Sequence, residues 1–570
     1  MSSEFPDAKE ALEMNASCSY WISARDRIMS QMVVYENELA GARAKDTEMG
    51  YILPQVVPMG TITRRAVENT WLTASNAKKN RIGSELKSMV TAPEGYSFVG
   101  ADVDSEELWI AALVGDASFK LHGGNAIGFM TLEGTKAAGT DLHSRTAKIL
   151  GISRNDAKVF NYGRIYGAGL NFAISLLRRF NPTLTEDQAR EVASKLYKET
   201  KGTKGGRKQI KEGSFWYGGT ESFVFNRLED FAVQEKPRTP VLGAGITEAL
   251  LERFIGKGAF LTSRINWAIQ SSGVDYLHLL IVSMEYLCRR YNIDARLALT
   301  VHDEIRYLAK DHDKYRCAMA LQVANLWTRA MFAQQVGIED LPQSCAYFSA
   351  VDVDHVLRKE VDMDCVTPSH PEKIPPGQSL DITQLLEMGE VARLDPAVKS
   401  LDPPQPQRFE YQHRQPVMET LQSKNPIPYI QAQIASDRKE LQKIATGLKG
   451  PTSTKPLKDN PRPAPPIRKQ STTSKSQKSS KDHSSLLSNN GAWQDISHTN
   501  LMPVDTDHID ERGLDDLLRD YRRTKTAKEK EGTGMNKKTT TTTTNSKNTA
   551  LNVGFMHRMP SGRPSTVVRH

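Results

Sequence analysis

Three short clusters carry residue types able to act on a charged substrate. The first is Asp102-Val-Asp-Ser-Glu-Glu-Leu108, at the end of an apolar run. The second is Arg154-Asn-Asp-Ala-Lys158-Val-Phe-Asn-Tyr162-Gly-Arg-Ile-Tyr166-Gly, cationic and aromatic. The third is His302-Asp303-Glu304, following Arg296-Leu-Ala-Leu-Thr-Val301. If Asp102 and Asp303 end neighbouring strands, their carboxylates meet. Two such charges about 4 Å apart repel by roughly 4 kcal/mol at an effective dielectric near 20. A divalent cation relieves this, and hard oxygen ligands with no cysteine nearby favour magnesium. From one Asp-x-Asp alone, helix capping or turn closure is the preferred use of each aspartate, since strand-end Asp is ordinary turn chemistry. That plainer use is the one expected of Asp352 and Asp354.

Arg154, Lys158, Tyr162 and Tyr166 recur every four residues, which on a helix lines them along one face. From Lys158 to Tyr166 is about 12 Å at 1.5 Å per residue, about the length of a nucleoside triphosphate. The cationic end is N-terminal, where the helix dipole also favours phosphate, and Tyr166 can stack on a base. A solvated charged face backed by aromatic packing is the alternative.

These residues need elements to hold them. Tyr96–Asp102 reads as a strand and Glu106–Val114 as a helix with Leu108, Ala111, Ala112 and Gly115 on one stripe. Residues 141–200 read as mostly helical, 201–245 as Gly- and Lys-rich loop, and 260–290 and 315–335 as helices. Residues 296–302 read as a buried strand, 304–308 as its hairpin return, and 350–354 as a further short strand. Residues 1–50 read as partly helical.

Composition divides the chain of 570 residues. Hydrophobic residues, glycine not counted, are 39%, below the roughly 45–50% of an average globular chain, a range that counts glycine. Residues 391–570 hold 30 Lys and Arg against 18 Asp and Glu, a net +12, whereas the whole chain carries only +8. A near-neutral body with a cationic extension follows, and a uniformly basic globular protein is excluded. Past residue 389 the Pro, Ser, Thr, Lys and Gln content predicts disorder, apart from a short charged helix over 514–530. Five scattered cysteines without a CxxC pair argue against a disulfide scaffold or zinc ribbon. No apolar run reaches 18 residues, so no membrane span is expected, and the acidic first residues resemble neither a signal nor a transit peptide.

Taken together, the three clusters resemble motifs A, B and C of the family A DNA polymerases. The segments Gly60-Thr-Ile-Thr-Arg-Arg-Ala66, Thr70-Trp-Leu-Thr-Ala-Ser-Asn76, Gly139-Thr-Asp-Leu-His143, Phe160–Gly169 and Gln270-Ser-Ser-Gly-Val-Asp-Tyr-Leu277 resemble most closely the gamma branch, the mitochondrial replicases, in its fungal form. The likeness spans about residues 15–385. It implies an α+β fold: a palm of antiparallel sheet and helices from 51–135 and 245–388, and helical fingers from 136–244. A thumb-proximal remnant over 1–50 and a long disordered basic C-terminal extension over 389–570 flank them. The exonuclease and most of the thumb found in full-length relatives are not visible in this sequence, so a chain truncated at its N-terminus is expected.

The resemblance assigns two Mg2+ ions to Asp102 and Asp303 with the Val103 carbonyl. It assigns the incoming dNTP to Glu107, His143, Arg154, Lys158, Tyr162 and Tyr166. Glu107 would be the gate that crowds a ribose 2′-hydroxyl and hydrogen-bonds Tyr166. Primer–template DNA falls to Arg64, Arg65, Arg264, Gln270 and His302, with Arg65 alternatively a palm salt bridge, and Glu304 joins the catalytic set beside the primer end. Mitochondrial localisation rests on the likeness alone, and the sequence identifies no accessory subunit. Two other readings stand beside this one: a non-catalytic DNA-binding fragment gripped mainly by its basic tail, and a single-subunit RNA polymerase. A bulky acid at Glu107 argues against the latter.

Overall fold

The computed structural model describes residues 6–31, 33–35, 50–52, 54–68, 86–136, 138–256, 259–366, 371–395 and 426–448. Helix α1 (Pro6–Gln31) precedes a small hairpin of β1 (Val33–Tyr35) and β2 (Gly50–Ile52). Next comes β3 (Tyr96–Asp102), followed by α2 (Glu106–Asp116) and α3 (Ala126–Glu133). Four helices then run consecutively: α4 (Leu142–Leu150), α5 (Arg154–Ile165), α6 (Leu170–Phe180) and α7 (Glu186–Thr200). A hairpin of β4 (Thr203–Gly205) and β5 (Phe215–Tyr217) leads into α8 (Ser222–Ala232) and the long α9 (Leu261–Arg290). The chain continues through β6 (Ala295–Val301), β7 (Glu304–Lys310), α10 (Lys314–Gln335), β8 (Val351–Asp354), β9 (Gln378–Leu380) and α11 (Ile382–Glu387). Two further helices are α12 (Pro426–Ile434) and α13 (Arg438–Gly447).

The sheet that matters has the order β6-β7-β3-β8-β9, antiparallel throughout. Its centre is β3, the strand expected from the sequence. Gly100 sits where a Cβ would lie 2.2 Å from the Ile305 carbonyl oxygen, so the β3–β7 approach requires glycine there. Helices α2, α8, α9 and α10 bury their apolar faces in one core with the sheet: Val99, Trp109, Phe231, Trp267, Tyr276, Ile305 and Phe332 are all within it. Helix α2 is buried continuously from Leu108 to Asp116, so the single stripe expected of it is an underestimate. Helices α5, α6 and α7 share a separate small core around Phe160, Ile174, Leu177 and Ala189. Thr185 and Gln188 form a capping box that starts α7.

Three expectations need correction. The β6 run was expected to be buried, yet β6 is the sheet edge and Arg296, Leu297 and Ala298 are exposed. An apolar run does not reveal whether a second strand covers it. Residues 201–245 are mostly loop as expected, but they also hold a helix that was not. Helix α8 buries Phe223, Val224, Phe225, Leu228 and Phe231 against α2 and α9, a pattern overshadowed by the Gly- and Lys-rich stretch before it. This helix, inside the range expected for the fingers, therefore packs with the sheet-backed core.

The third correction lies in the extension expected to be disordered. Tyr429, Ala432, Leu441 and Ala445 of α12 and α13 pack on Ile210, Phe215 and Tyr217. Gln433 accepts from the Asn226 amide at 2.8 Å, and its carbonyl accepts from Gly218 N at 2.9 Å. Asp437 caps α13 through the amides of Lys439 and Glu440. Composition averaged over the whole extension hides these 23 residues. The Thr70–Asn76 segment and the helix expected over 514–530 lie outside the described residues. Among the described residues no helix is long and apolar enough to cross a membrane, and no two cysteines are joined in a disulfide. Asp352 pairs with Arg306 at 3.0 Å and Asp354 with Arg358 at 2.6 Å, so both are ion-pair partners on β8, whereas helix capping or turn closure was expected of them.

Candidate active site

The β6–β7 turn is two residues long, with Val301 and Glu304 paired across it. His302 occupies it with φ of 54°, a left-handed value that a side chain adopts only under surrounding constraint. In the next ladder Asp102 faces Glu304, and Val103 N donates to the Asp303 carbonyl at 3.0 Å. Two aspartates 201 positions apart thus reach the same end of adjacent strands.

Their surroundings differ sharply from those of Glu304. Solvent reaches Asp102, but the protein crowded around it, then the charge of Glu304, pushes its carboxyl up to about 6. Burial, then Glu107 and Asp102, pushes Asp303 up to about 8. Burial alone would raise Glu304 too. Lys87 reaches its two oxygens at 3.0 and 2.9 Å and Arg306 Nε reaches one at 2.7 Å, and together they hold it at about 2. Among the described residues no cation forms an ion pair with Asp102 or Asp303.

This carboxylate pair, crowded and unneutralised, fits a divalent cation. No group of three or more His, Cys, Asp or Glu side chains converges as a metal site among the described residues. Magnesium is commonly held by one or two carboxylates while keeping several waters, so two aspartates and a nearby main-chain carbonyl suffice.

Helix α5 carries the expected stripe. Ser153 caps it by accepting from Asp156 N, and Gly167 with φ of 91° follows its end. Arg154 pairs with Asp141 at 2.8 Å. Lys158 is half-buried, with no carboxylate paired to it among the described residues. The Tyr162 ring lies 5.7 Å from His143 and 5.9 Å from Tyr166. Burial, then Glu107, lifts both phenols well above their ordinary range, so both stay neutral. Tyr162 also feels Asp303 and lies near Ser105, while Tyr166 lies near Gln270. The aromatic end of the stripe therefore stands at the carboxylates. His143 is buried, which lowers its pKa to about 4.

Glu107 accepts from the Arg65 guanidinium. Arg64 donates to Asp275 at 2.9 Å and Ser271 Oγ at 2.8 Å. Arg65 therefore forms the salt bridge that was its alternative use. Gln270 stands beside Tyr166 and His302 in the turn, but Arg264 is buried and donates to the Gln234 carbonyl. Lys87 escaped sequence reasoning, because nothing near it marks a buried cation. Arg306 was legible: it lies two residues after Glu304 on one strand, hence on the same face. Glu106 is enclosed, and a Cβ at Gly273 would lie 2.7 Å from its Oε2. That close approach also needed the fold to be seen.

Comparison with known proteins matches residues 33–345 to DNA polymerase family A. The chain is 68% identical to DNA polymerase gamma, mitochondrial, of Neurospora crassa over 461 residues, covering 78% of this chain and 32% of that protein. It is 60% identical to DNA polymerase gamma of Komagataella pastoris, covering 78% of this chain and 42% of that one. It is 50% identical to DNA polymerase subunit gamma-1 of Gallus gallus, covering 66% and 68%. The chain spans well under half the length of the two fungal relatives. With the family matched across more than half its residues, the chain belongs to DNA polymerase family A, in its fungal mitochondrial gamma branch.

Proposed function

We propose that this chain carries out template-directed DNA synthesis in mitochondria, transferring a nucleotidyl group from a dNTP to a primer 3′-hydroxyl. The observation that carries the reading is the meeting of Asp102 and Asp303, without a neutralising cation, beside the aromatic end of the α5 stripe. Two magnesium ions, when bound, supply the charge that activates the attacking hydroxyl and steadies the leaving pyrophosphate.

The chain's own residues do the rest. Asp102, Asp303 and the Val103 carbonyl hold the ions. Arg154, Lys158 and His143 receive the triphosphate at the cationic end of the stripe. Tyr166 offers a ring to the base, and Tyr162 lies toward the sugar. Glu107, steadied by Arg65, crowds the 2′ position and excludes ribonucleotides. Arg64, Arg65, Arg264, Gln270 and His302 serve the primer–template. For Arg64 and Arg264 this requires release of the partners they hold here, and Arg65 can reach DNA only by giving up its bridge to Glu107. Glu304 has a positioning task, because its charge is already consumed by Lys87 and Arg306.

Primer extension with magnesium tests the reading. Extension by the unaltered chain that vanishes in Asp303→Ala supports it, and extension that survives the substitution overturns it.

A further inference from the structure

Asn161 is fully buried one turn of α5 beyond Ala157, and its amide touches three residues: Arg164 of α5, and Thr146 and His143 of α4. Arg164 Nη2 lies 3.2 Å from Oδ1, and Thr146 Oγ1 lies 3.0 Å from Nδ2 and 3.3 Å from Oδ1. Nδ2 lies 3.2 Å from His143 Nδ1. The orientation of a buried amide is decided by its partners. A guanidinium has donors and no acceptor, so the Asn161 atom facing Arg164 must be oxygen. Arg164 cannot turn away, since both its terminal nitrogens are held by Glu221, which directly precedes α8. The atom facing His143 is then the NH2 group. A donor there requires an acceptor at Nδ1, which leaves the imidazole proton on Nε2. That nitrogen is buried and unpartnered among the described residues.

We propose that Asn161 is a positioning residue that fixes His143 as the neutral Nε2–H tautomer, so that it presents one N–H donor to a phosphate oxygen of the incoming nucleotide. What the donor meets rests on the polymerase reading, whereas the tautomer does not. The charged groups around His143 are Asp141 at the start of α4, which favours the imidazolium, and Arg154 and Lys158 of α5, which oppose it. Burial outweighs them all, and the ring stays neutral at physiological pH.

The test reads the ring directly. Histidine is labelled with 15N in the full chain, His143→Gln identifies its resonances, and solid-state spectra report which nitrogen is protonated. The expected result is a proton on Nε2 and none on Nδ1 from about pH 6 to about pH 8. A proton on Nδ1 overturns the proposal, and this readout needs no turnover. The second arm uses Asn161→Asp, whose carboxylate cannot donate to Nδ1 and draws the proton there instead. Raising the pH then strips Nε2, and KM for dNTP rises about tenfold between pH 6 and pH 8 with kcat far less affected. KM in the parent chain stays flat over that range. A variant with an equally flat profile overturns the proposal. A parent chain that extends no primer instead removes the polymerase reading, and the spectra still decide the tautomer.

Discussion

Asp102 and Glu304 face one another across the β3–β7 ladder, yet one carboxyl is pushed up to about 6 and the other held at about 2. The difference lies in their partners. Lys87 and Arg306 both pair with Glu304 and act on Asp102 only from a distance, so among the described residues Asp102 and Asp303 are left without an ion pair of their own.

Removing Lys87 tests that division. Glu304 and Lys87 are both buried, and losing one partner of such a pair costs about 3 kcal/mol. Glu304 has a lowered pKa, so its stabilisation is present above its ordinary 4.5 and lost as pH falls toward 2. Lys87→Met is expected to lower stability in urea unfolding near neutral pH, with the deficit shrinking toward pH 2. A deficit that stays constant with pH would mean that the pair contributes packing alone.

Asp303 behaves in the opposite sense. Its pKa is raised from 3.8 to about 8, so the stability it contributes is full below 3.8 and is lost as pH rises through 8. In a chelator, Asp303→Asn should therefore gain thermal stability relative to the parent at pH 9 and lose that advantage by pH 4. Adding magnesium at pH 9 should raise the midpoint of the parent more than that of the variant. Melting curves with and without the ion measure both effects.

Glu107→Ala removes the acid that the proposed function sets against the 2′ position, and with it one partner of Arg65. The preference for dNTP over rNTP, taken as a ratio of kcat/KM, should fall about tenfold or more. An unchanged ratio would take the gate away from Glu107.

The C-terminal helices and the residues beyond them call for separate tests. Tyr429 is buried against Phe215, with ring centres 5.4 Å apart, so Tyr429→Ala should destabilise the chain by about 3 kcal/mol. Deleting residues 449–570, which carry a net +10, should leave folding and extension intact while flattening the salt dependence of DNA binding. Calorimetry and a salt titration distinguish these outcomes. A deletion starting at 391 would also remove α12 and α13 and confound the two.

Much of the site was legible because it is local. The four-residue period of Arg154, Lys158, Tyr162 and Tyr166 is a property of one helix, and the strands ending at Asp102 and beginning at Glu304 are properties of short runs. What the chain alone could not settle is which surfaces meet. Strand order, the exposure of β6 and the register of Asp102 on Glu304 depend on partners far away in sequence. So does the arrival of Lys87 from outside the sheet, and the seating of α12 on Phe215. Periodicity tells which face of an element is apolar but not what covers it, and a carboxylate's charge is decided by the neighbours folding brings to it. Residue types and spacing therefore supplied the chemistry, whereas packing decided which of the acids were left free to use it.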